Sequence, residues 1–165
     1  MATYDYTEGT QAQSAEMASY ASVHSCHVLK RKFDVATVIA WNTTLTANAK
    51  ITSGDIFKVL PVPDDSWVIG AGLKVITAFG ACTDLDLGTN GGDQFEDGGD
   101  PNGATAGAHL RMLPDDDYGT ATAKTFGNVY TTADTIDTKF NADETTGTAL
   151  YWAVMFDLAD DVGTD

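Results

Sequence analysis

Alternating apolar and polar residues in the centre of the chain predict β-strands. The clearest example covers residues 67–77, where apolar side chains occupy every second position. They are Trp67, Ile69, Ala71, Leu73 and Val75. Gly70, Gly72 and Lys74 take intervening positions. A period of two is that of an extended strand with one face buried, so we predict a half-buried strand with Trp67 on its apolar face.

Similar runs recur along the chain, and seven or eight strands are expected. The further strands are predicted at Phe33–Trp41, Asp55–Val62, Cys82–Leu87, His109–Leu113, Thr125–Thr131, Ile136–Phe140 and Leu150–Leu158. Asp137 and Lys139 are expected to face water. Turn residues separate these runs, and no helical period follows residue 25. The pattern therefore predicts an all-β fold, a single antiparallel β-sandwich, with a jelly roll as its architecture.

The last run is apolar at both odd and even positions. Leu150, Trp152 and Val154 alternate with Tyr151 and Ala153. A strand of this kind is expected at the centre of its sheet, covered on each side.

The same phase argument applies to the tryptophans, because each alternates with aliphatic residues. Core packing is therefore predicted for Trp41, Trp67 and Trp152, in preference to an exposed platform for sugars.

The first 25 residues have a different composition from the rest. Residues 1–25 are rich in Thr, Ser, Ala, Gln and Tyr, and a short helix is expected over Gln11–Tyr20. We interpret them as an N-terminal arm, extended or partly helical, which either packs on a neighbouring subunit or is a loosely ordered terminus. Residues 26–165 then form the β-sandwich domain.

The charge of the chain limits its partners. With 24 acidic and 9 basic residues, the net charge is −15. Nucleic acids and anionic membranes are bound through clustered Lys and Arg, so neither is expected as a partner. The cluster Lys30-Arg31-Lys32 is expected to be a solvated strand end. Met1–Gln13 has no signal-peptide pattern, and synthesis in the cytoplasm without secretion is expected.

The segment from Asp84 to Asp100 is the place where a metal ion is most plausible. Its carboxylates are hard oxygen ligands of the type that Ca²⁺ prefers. They are Asp84, Asp86, Asp93, Glu96, Asp97 and Asp100. Their spacing matches neither an EF-hand nor a glycine-rich calcium repeat, and acidic loops are expected in so acidic a chain. A solvated loop is therefore preferred to a calcium site, and no metal or other cofactor is assigned.

The cysteines and histidines offer weaker candidates. Cys26 and Cys82 could be bridged, but two reduced thiols are preferred because two cysteines do not make a disulfide scaffold. His24, Cys26 and His27 lie close in sequence but lack the four ligands of a structural zinc site. No nucleophilic-serine or P-loop motif is present, so no catalytic residue is assigned and no enzymatic activity is expected.

Four motifs, in order along the chain, give a family resemblance. They are Pro61-Val62-Pro63 leading into Val68–Leu73 with its Gly-x-Gly, Asp86–Asp93, Ala133–Asp137, and Phe156–Asp160. In this order of elements the chain resembles small structural proteins of tailed-bacteriophage virions, the capsid decoration, cement or auxiliary head proteins. The Asp64-Asp65-Ser66 turn and the long loop over residues 93–107 depart from the pattern.

The resemblance implies a virion structural protein without an active site. It implies the major capsid protein as partner, together with further copies of this chain in a homo-oligomer, for which a trimer suits local threefold points of a shell. A tail or fibre-base protein is the alternative within virions. A calcium-dependent or aromatic-faced carbohydrate-binding sandwich is the alternative outside them.

Overall fold

A computed structural model describes residues 3–5, 26–92, 94–110 and 127–158 of the chain. The strands are β1 (Thr3–Asp5), β2 (Cys26–Asp34), β3 (Ile56–Val62), β4 (Ser66–Thr77), β5 (Leu85–Gly88), β6 (Glu96–Gly99), β7 (His109–Leu110), β8 (Asn128–Tyr130), β9 (Asp134–Phe140) and β10 (Thr148–Asp157). The helices are α1 (Val35–Trp41) and α2 (Thr43–Asn48), with a 3₁₀ turn over Thr89–Gly91.

The strands form two sheets that pack face to face. Sheet A has the order β1-β3-β9-β5-β6, and sheet B has the order β2-β10-β4-β7, with β8 also paired to β4. All the pairs are antiparallel except that of β1 with β3. When β1 and β7 are left out, sheet A has the order β3-β9-β5-β6 and sheet B has the order β2-β10-β4-β8. This is the strand order of a double-sheet jelly roll. The predicted all-β sandwich is confirmed.

Aromatic rings from both sheets form the centre of the core. The ring of Phe33 on β2 lies 5.4 Å from that of Phe57 and 5.9 Å from that of Phe140, between centroids, and Tyr151 on β10 lies 5.8 Å from Phe33. All four side chains are fully buried. The Tyr151 hydroxyl and the Thr138 hydroxyl are 3.0 Å apart, so this buried polar group keeps a partner.

The strand predicted over Phe33–Trp41 was wrong. The strand β2 ends at Asp34, and the helix α1 begins at Val35. Asp34 is the N-cap: its carboxylate accepts hydrogen bonds from the Thr37 N–H at 2.9 Å and the Thr37 hydroxyl at 3.0 Å. The cap starts a helix whose valines at positions 35 and 38 reach the core, and this overrides the β preference of a Val- and Ile-rich run.

Other strand predictions agree with the structure to within a few residues. Residues 55–62, 67–77, 136–140 and 150–158 overlap β3, β4, β9 and β10, and β10 is central in sheet B between β2 and β4. The strands β1 and β6 and most of β2 were not predicted. Asp137 was expected to face water but is 2% exposed, because it lies beside the 3₁₀ turn.

A β-bulge places Trp67 on the opposite face of β4 from the one predicted. The register of β4 against β10 shifts between Val154 and Met155, so that Ile69 is an additional residue on β4. An extra residue reverses the side-chain alternation. Ala71 therefore faces the core and is fully buried, whereas Trp67 faces outward and is partly exposed.

Most of the predicted N-terminal arm, with its helix over Gln11–Tyr20, lies outside the described residues. Residues 3–5 form β1 on the edge of sheet A, where the ring of Tyr4 stacks on that of Phe57 at 4.9 Å. In the described part of the chain, neither helix has the length or the apolar character needed to cross a membrane.

Candidate interaction surface

The outward side of sheet B carries a continuous apolar surface, which we call the outer face. It is formed by alternate residues of β2, β4, β8 and β10. Its apolar members are Val28, Trp67, Val129, Leu150, Trp152, Val154 and Phe156, with Gly70 and Gly72 between them. Val28 is 50% exposed and Val129 is 55% exposed, and they lie on opposite flanks of the face. The apolar surface therefore extends across the width of the sheet.

Strand pairing sets the positions of the aromatic residues on this face. Trp67 on β4 lies directly opposite Phe156 on β10, and their rings are 5.9 Å apart. Trp152 lies opposite Gly72. Because glycine has no side chain, the indole of Trp152 has room above β4. These rings are held on paired strands, so they lose little conformational entropy when a partner covers them.

The predicted core packing of the tryptophans was wrong. Trp67 and Trp152 are partly exposed on the outer face, and Trp41 is 41% exposed at the end of α1. The sandwich has two layers, and within the described chain only the inner face of sheet B is covered. The second apolar face of β10 was expected to be covered, but its side chains stay partly exposed.

Basic residues border one end of the outer face. Lys30 pairs in register with Trp152, and Lys32 and Lys74 lie on either side of Leu150. Lys30, Lys74 and His109 line an open groove of about 530 Å³ with Val28 and Val154. Arg31, from the same basic triplet, is 4% exposed and turns inward. The triplet is therefore not a solvated strand end: Lys30 and Lys32 face outward from β2, and Arg31 faces inward.

The acidic side chains of the segment from Asp84 to Asp100, where a metal ion was weighed against a solvated loop, lie at sheet A. The Asp86 carboxylate accepts hydrogen bonds from Lys139 Nζ at 3.0 Å and from Asn141 Nδ2 at 2.9 Å. Asn141 Nδ2 also donates to Asp84 at 2.7 Å. Asp100 lies apart, where it accepts the Gly103 N–H at 2.7 Å in a turn. These carboxylates already have protein donors.

The structure does not bring the remaining candidates together. Asp93 lies outside the described residues, and Glu96 and Asp97 lie on β6. In the described ranges no three His, Cys, Asp or Glu side chains are grouped so as to hold a metal ion. The arrangement of Asp84, Asp86 and Asp100 is that of strand and turn stabilisation.

The two cysteines are free thiols in different environments. Cys26 is exposed on β2, where it pairs in register with Phe156 at the margin of the outer face. Cys82 is buried between β4 and β5, and its thiol donates to the Asp84 carbonyl at 3.2 Å. Burial raises the pKa of Cys82 to about 11. His24 lies outside the described residues, and His27 is on β2.

Sequence reasoning missed the outer face as a site, although it named most of its residues. The signal in the sequence was that β10 is apolar on both faces, since Leu150, Trp152, Val154 and Phe156 give it a second apolar face. That pattern is the same for a strand covered by its own chain and for one covered by a partner. These two cases can be told apart only when the number of layers in the fold is known.

Comparison with solved structures finds a similar fold in a chain of a phage capsid. A chain in the capsid of Ralstonia phage GP4 matches with a TM-score of 0.55 and 13% identity, over 87% of this chain and 90% of that chain. A chain in the acidic stable capsid structure of Helicobacter pylori bacteriophage KHP30 matches with a TM-score of 0.41 and 14% identity, over 82% and 88% of the two chains. No protein-family model and no curated protein matches the sequence.

Proposed function

We propose that this chain is a non-enzymatic structural protein of a tailed-phage virion, and that it decorates and stabilises the head shell as a cement protein. The observation that carries the proposal is the likeness in fold to a chain of the phage GP4 capsid over nearly the whole length of both chains. The exposed apolar outer face supports it, because exposed patches of this kind mark surfaces that bind other proteins.

The proposed partners are the major capsid protein and further copies of this chain in a trimer. A closed trimer fits a local threefold point of a shell, where each copy meets an equivalent surface. The N-terminal arm is proposed to reach a neighbouring subunit. The acidic loops of sheet A are proposed to face outward, where like charges keep decorated particles apart in solution.

Fractionation of the native source on a density gradient tests the proposed function. Peptide mass spectrometry across the fractions should find the chain with DNA-filled particles, at a copy number comparable to that of the major shell protein. A few copies per particle would instead place it in the tail or at a vertex. Its absence from particles would contradict a virion role.

Deletion of residues 1–25 tests the arm. Binding to the shell should fall, since the arm would no longer reach a neighbour. The deletion also removes β1, so the matched control is Tyr4→Ala, which weakens the packing of β1 on Phe57 without shortening the arm. Undiminished occupancy of the truncated chain on the shell would contradict this role of the arm.

A further inference from the structure

We infer that the outer face of sheet B is the surface by which this chain docks on the shell. The complementary site on the shell then has an apolar centre and a rim of carboxylates. The inference rests on the proposed function and names the surface and the chemistry of its partner. The occupant is the surface of another protein, the major shell subunit.

The apolar part of the face has the composition of an interface centre. Trp67 and Phe156 form an adjacent ring pair, Trp152 lies four residues before Phe156 on β10, and Val28 and Val129 extend the surface to both flanks. Aromatic anchors on rigid strands dominate binding energy in many protein interfaces. Leaving them against water costs free energy that a partner surface would recover.

The charges around this centre select an acidic partner. Of the 9 basic residues in a chain of net charge −15, Lys30, Lys32 and Lys74 lie at one end of the outer face. The carboxylate of Asp34, next along β2, interacts with Lys32, whereas Lys30 and Lys74 line the open groove. The lysines are therefore placed to meet carboxylates of a partner, which would orient the contact.

A second copy of this chain fits the same face poorly. In a twofold contact between two outer faces, the lysines of one copy would meet either the lysines or the aromatic end of the other, and neither end has a carboxylate among its outer-face residues. A contact between the outer face and the acidic sheet A of the next copy would join opposite sides of the sandwich, and a contact of this kind stacks copies into a filament unless its rotation closes a ring. The face is therefore assigned to the shell, and contacts within a trimer are left to the edges of the sandwich.

Titration of shells with the full-length chain tests the inference. DNA-free shells assembled from the major capsid protein alone are saturated with the wild-type chain and with two variants, Val28→Asp and the double variant Lys30→Gln/Lys74→Gln. Each has a control with the same charge change away from the face. The first is Ala36→Asp, on the exposed side of α1, and the second is Lys50→Glu, at a lysine that pairs with Asp143 in the wild type. Because the shells hold no DNA, binding to them measures a protein contact.

The face variants are expected to need about tenfold more protein for half-saturation, while both controls bind as the wild type does. Binding of the wild-type chain should also weaken as salt is raised, and binding of the double lysine variant should change less. Equal binding by all five chains would overturn the docking surface and leave the decoration role intact. Failure of the wild-type chain to bind any shell would overturn the proposed function itself.

Two further measurements exclude other occupants of the face. The mass of each variant in solution is compared with that of the wild type, and a change in Val28→Asp would assign the face to a second copy and overturn the inference. The thermal midpoint is compared as well. If Val28→Asp unfolded at a much lower temperature than Ala36→Asp, the face would be covered by the chain itself, which also overturns the inference.

Discussion

Glu144 shows how one side chain can hold two loops together. It is 1% exposed, and four backbone N–H groups donate to it. Its Oε2 accepts from Ala81 at 2.9 Å and Cys82 at 2.8 Å, and its Oε1 accepts from Thr145 at 2.7 Å and Thr146 at 2.9 Å. The loop before β5 is thereby joined to the loop before β10. Burial raises the pKa of Glu144, but these hydrogen bonds outweigh burial and leave the pKa below its usual value.

Replacement of Glu144 by Gln should destabilise the fold by about 2 kcal/mol, because the amide NH₂ would face two backbone donors. Urea unfolding measures this, and Asp143→Asn, at an exposed neighbour, is the control. A lowered folded-state pKa contributes stability above the unfolded-state pKa, and this is lost as pH falls through the folded-state value. Between about pH 7 and pH 3 the wild type should therefore lose more stability than Glu144→Gln. Parallel losses would contradict this role.

Gly147 is a position where the backbone requires glycine. Its φ is +121°, and an added Cβ would lie 2.7 Å from Cγ of Phe79, which is buried in the core. Gly147→Ala should therefore cost about 2–3 kcal/mol, from backbone strain and from displacement of the ring. Gly98→Ala is the matched control, because φ there is +68° with nothing within 4 Å of the added Cβ. Equal losses in urea unfolding would show that the Phe79 contact contributes nothing.

At the scale of elements, the change from β2 to α1 depends on one cap. Asp34 accepts hydrogen bonds from the Thr37 N–H at 2.9 Å and from the Thr148 hydroxyl at 2.8 Å, so it joins the start of α1 to the start of β10. Val35 and Val38 of α1 are fully buried. The helix therefore closes one end of the sandwich instead of continuing a strand.

Removal of this cap should loosen α1 selectively. Asp34→Ala is expected to lower the free energy of unfolding by about 1–2 kcal/mol, and Asp34→Asn, which keeps a capping oxygen, by less. Urea unfolding gives the totals, and hydrogen exchange of the α1 amides locates the effect. If Asn cost as much as Ala, the charge of Asp34 and not its capping would be the stabilising feature.

The bulge in β4 is the second feature that acts at this scale. It reverses the alternation near Ile69, and so Trp67 joins Phe156 on the outer face while Ala71 packs in the core. One irregularity in the ladder thus decides that an aromatic residue is available to a partner. Periodicity predicts the strand, but it does not locate such a shift, because the shift depends on pairing with β10.

At the scale of the whole molecule, the two thiols report on the two sides of sheet B. Cys26 is exposed at the margin of the outer face, whereas Cys82 is buried and burial raises its pKa to about 11. In the native chain a thiol reagent should therefore label Cys26 and leave Cys82 unmodified until denaturant is added.

On shells, labelling of Cys26 should slow, because the proposed docking would cover the outer face. A Cys26→Ser chain is the control, and it should take up no label while folded. Native labelling of Cys82 would contradict its burial. An unchanged rate for Cys26 on saturated shells would contradict docking through this face.

The sequence alone determined that the fold is all-β and located β3, β4, β9 and β10, because a period of two is written directly in the order of residues. It also named three residues of the outer face, but in other roles. Lys30 was expected in a solvated strand end, Lys74 on the polar side of a half-buried strand, and Trp152 in the core. Tertiary structure decided their roles. A capping carboxylate began the helix α1 over residues 35–41, and a bulge placed Trp67 on the outer face. A two-layer sandwich left the second face of β10 partly exposed, because whether an apolar face meets its own chain or a partner depends on the layers above it and not on its periodicity.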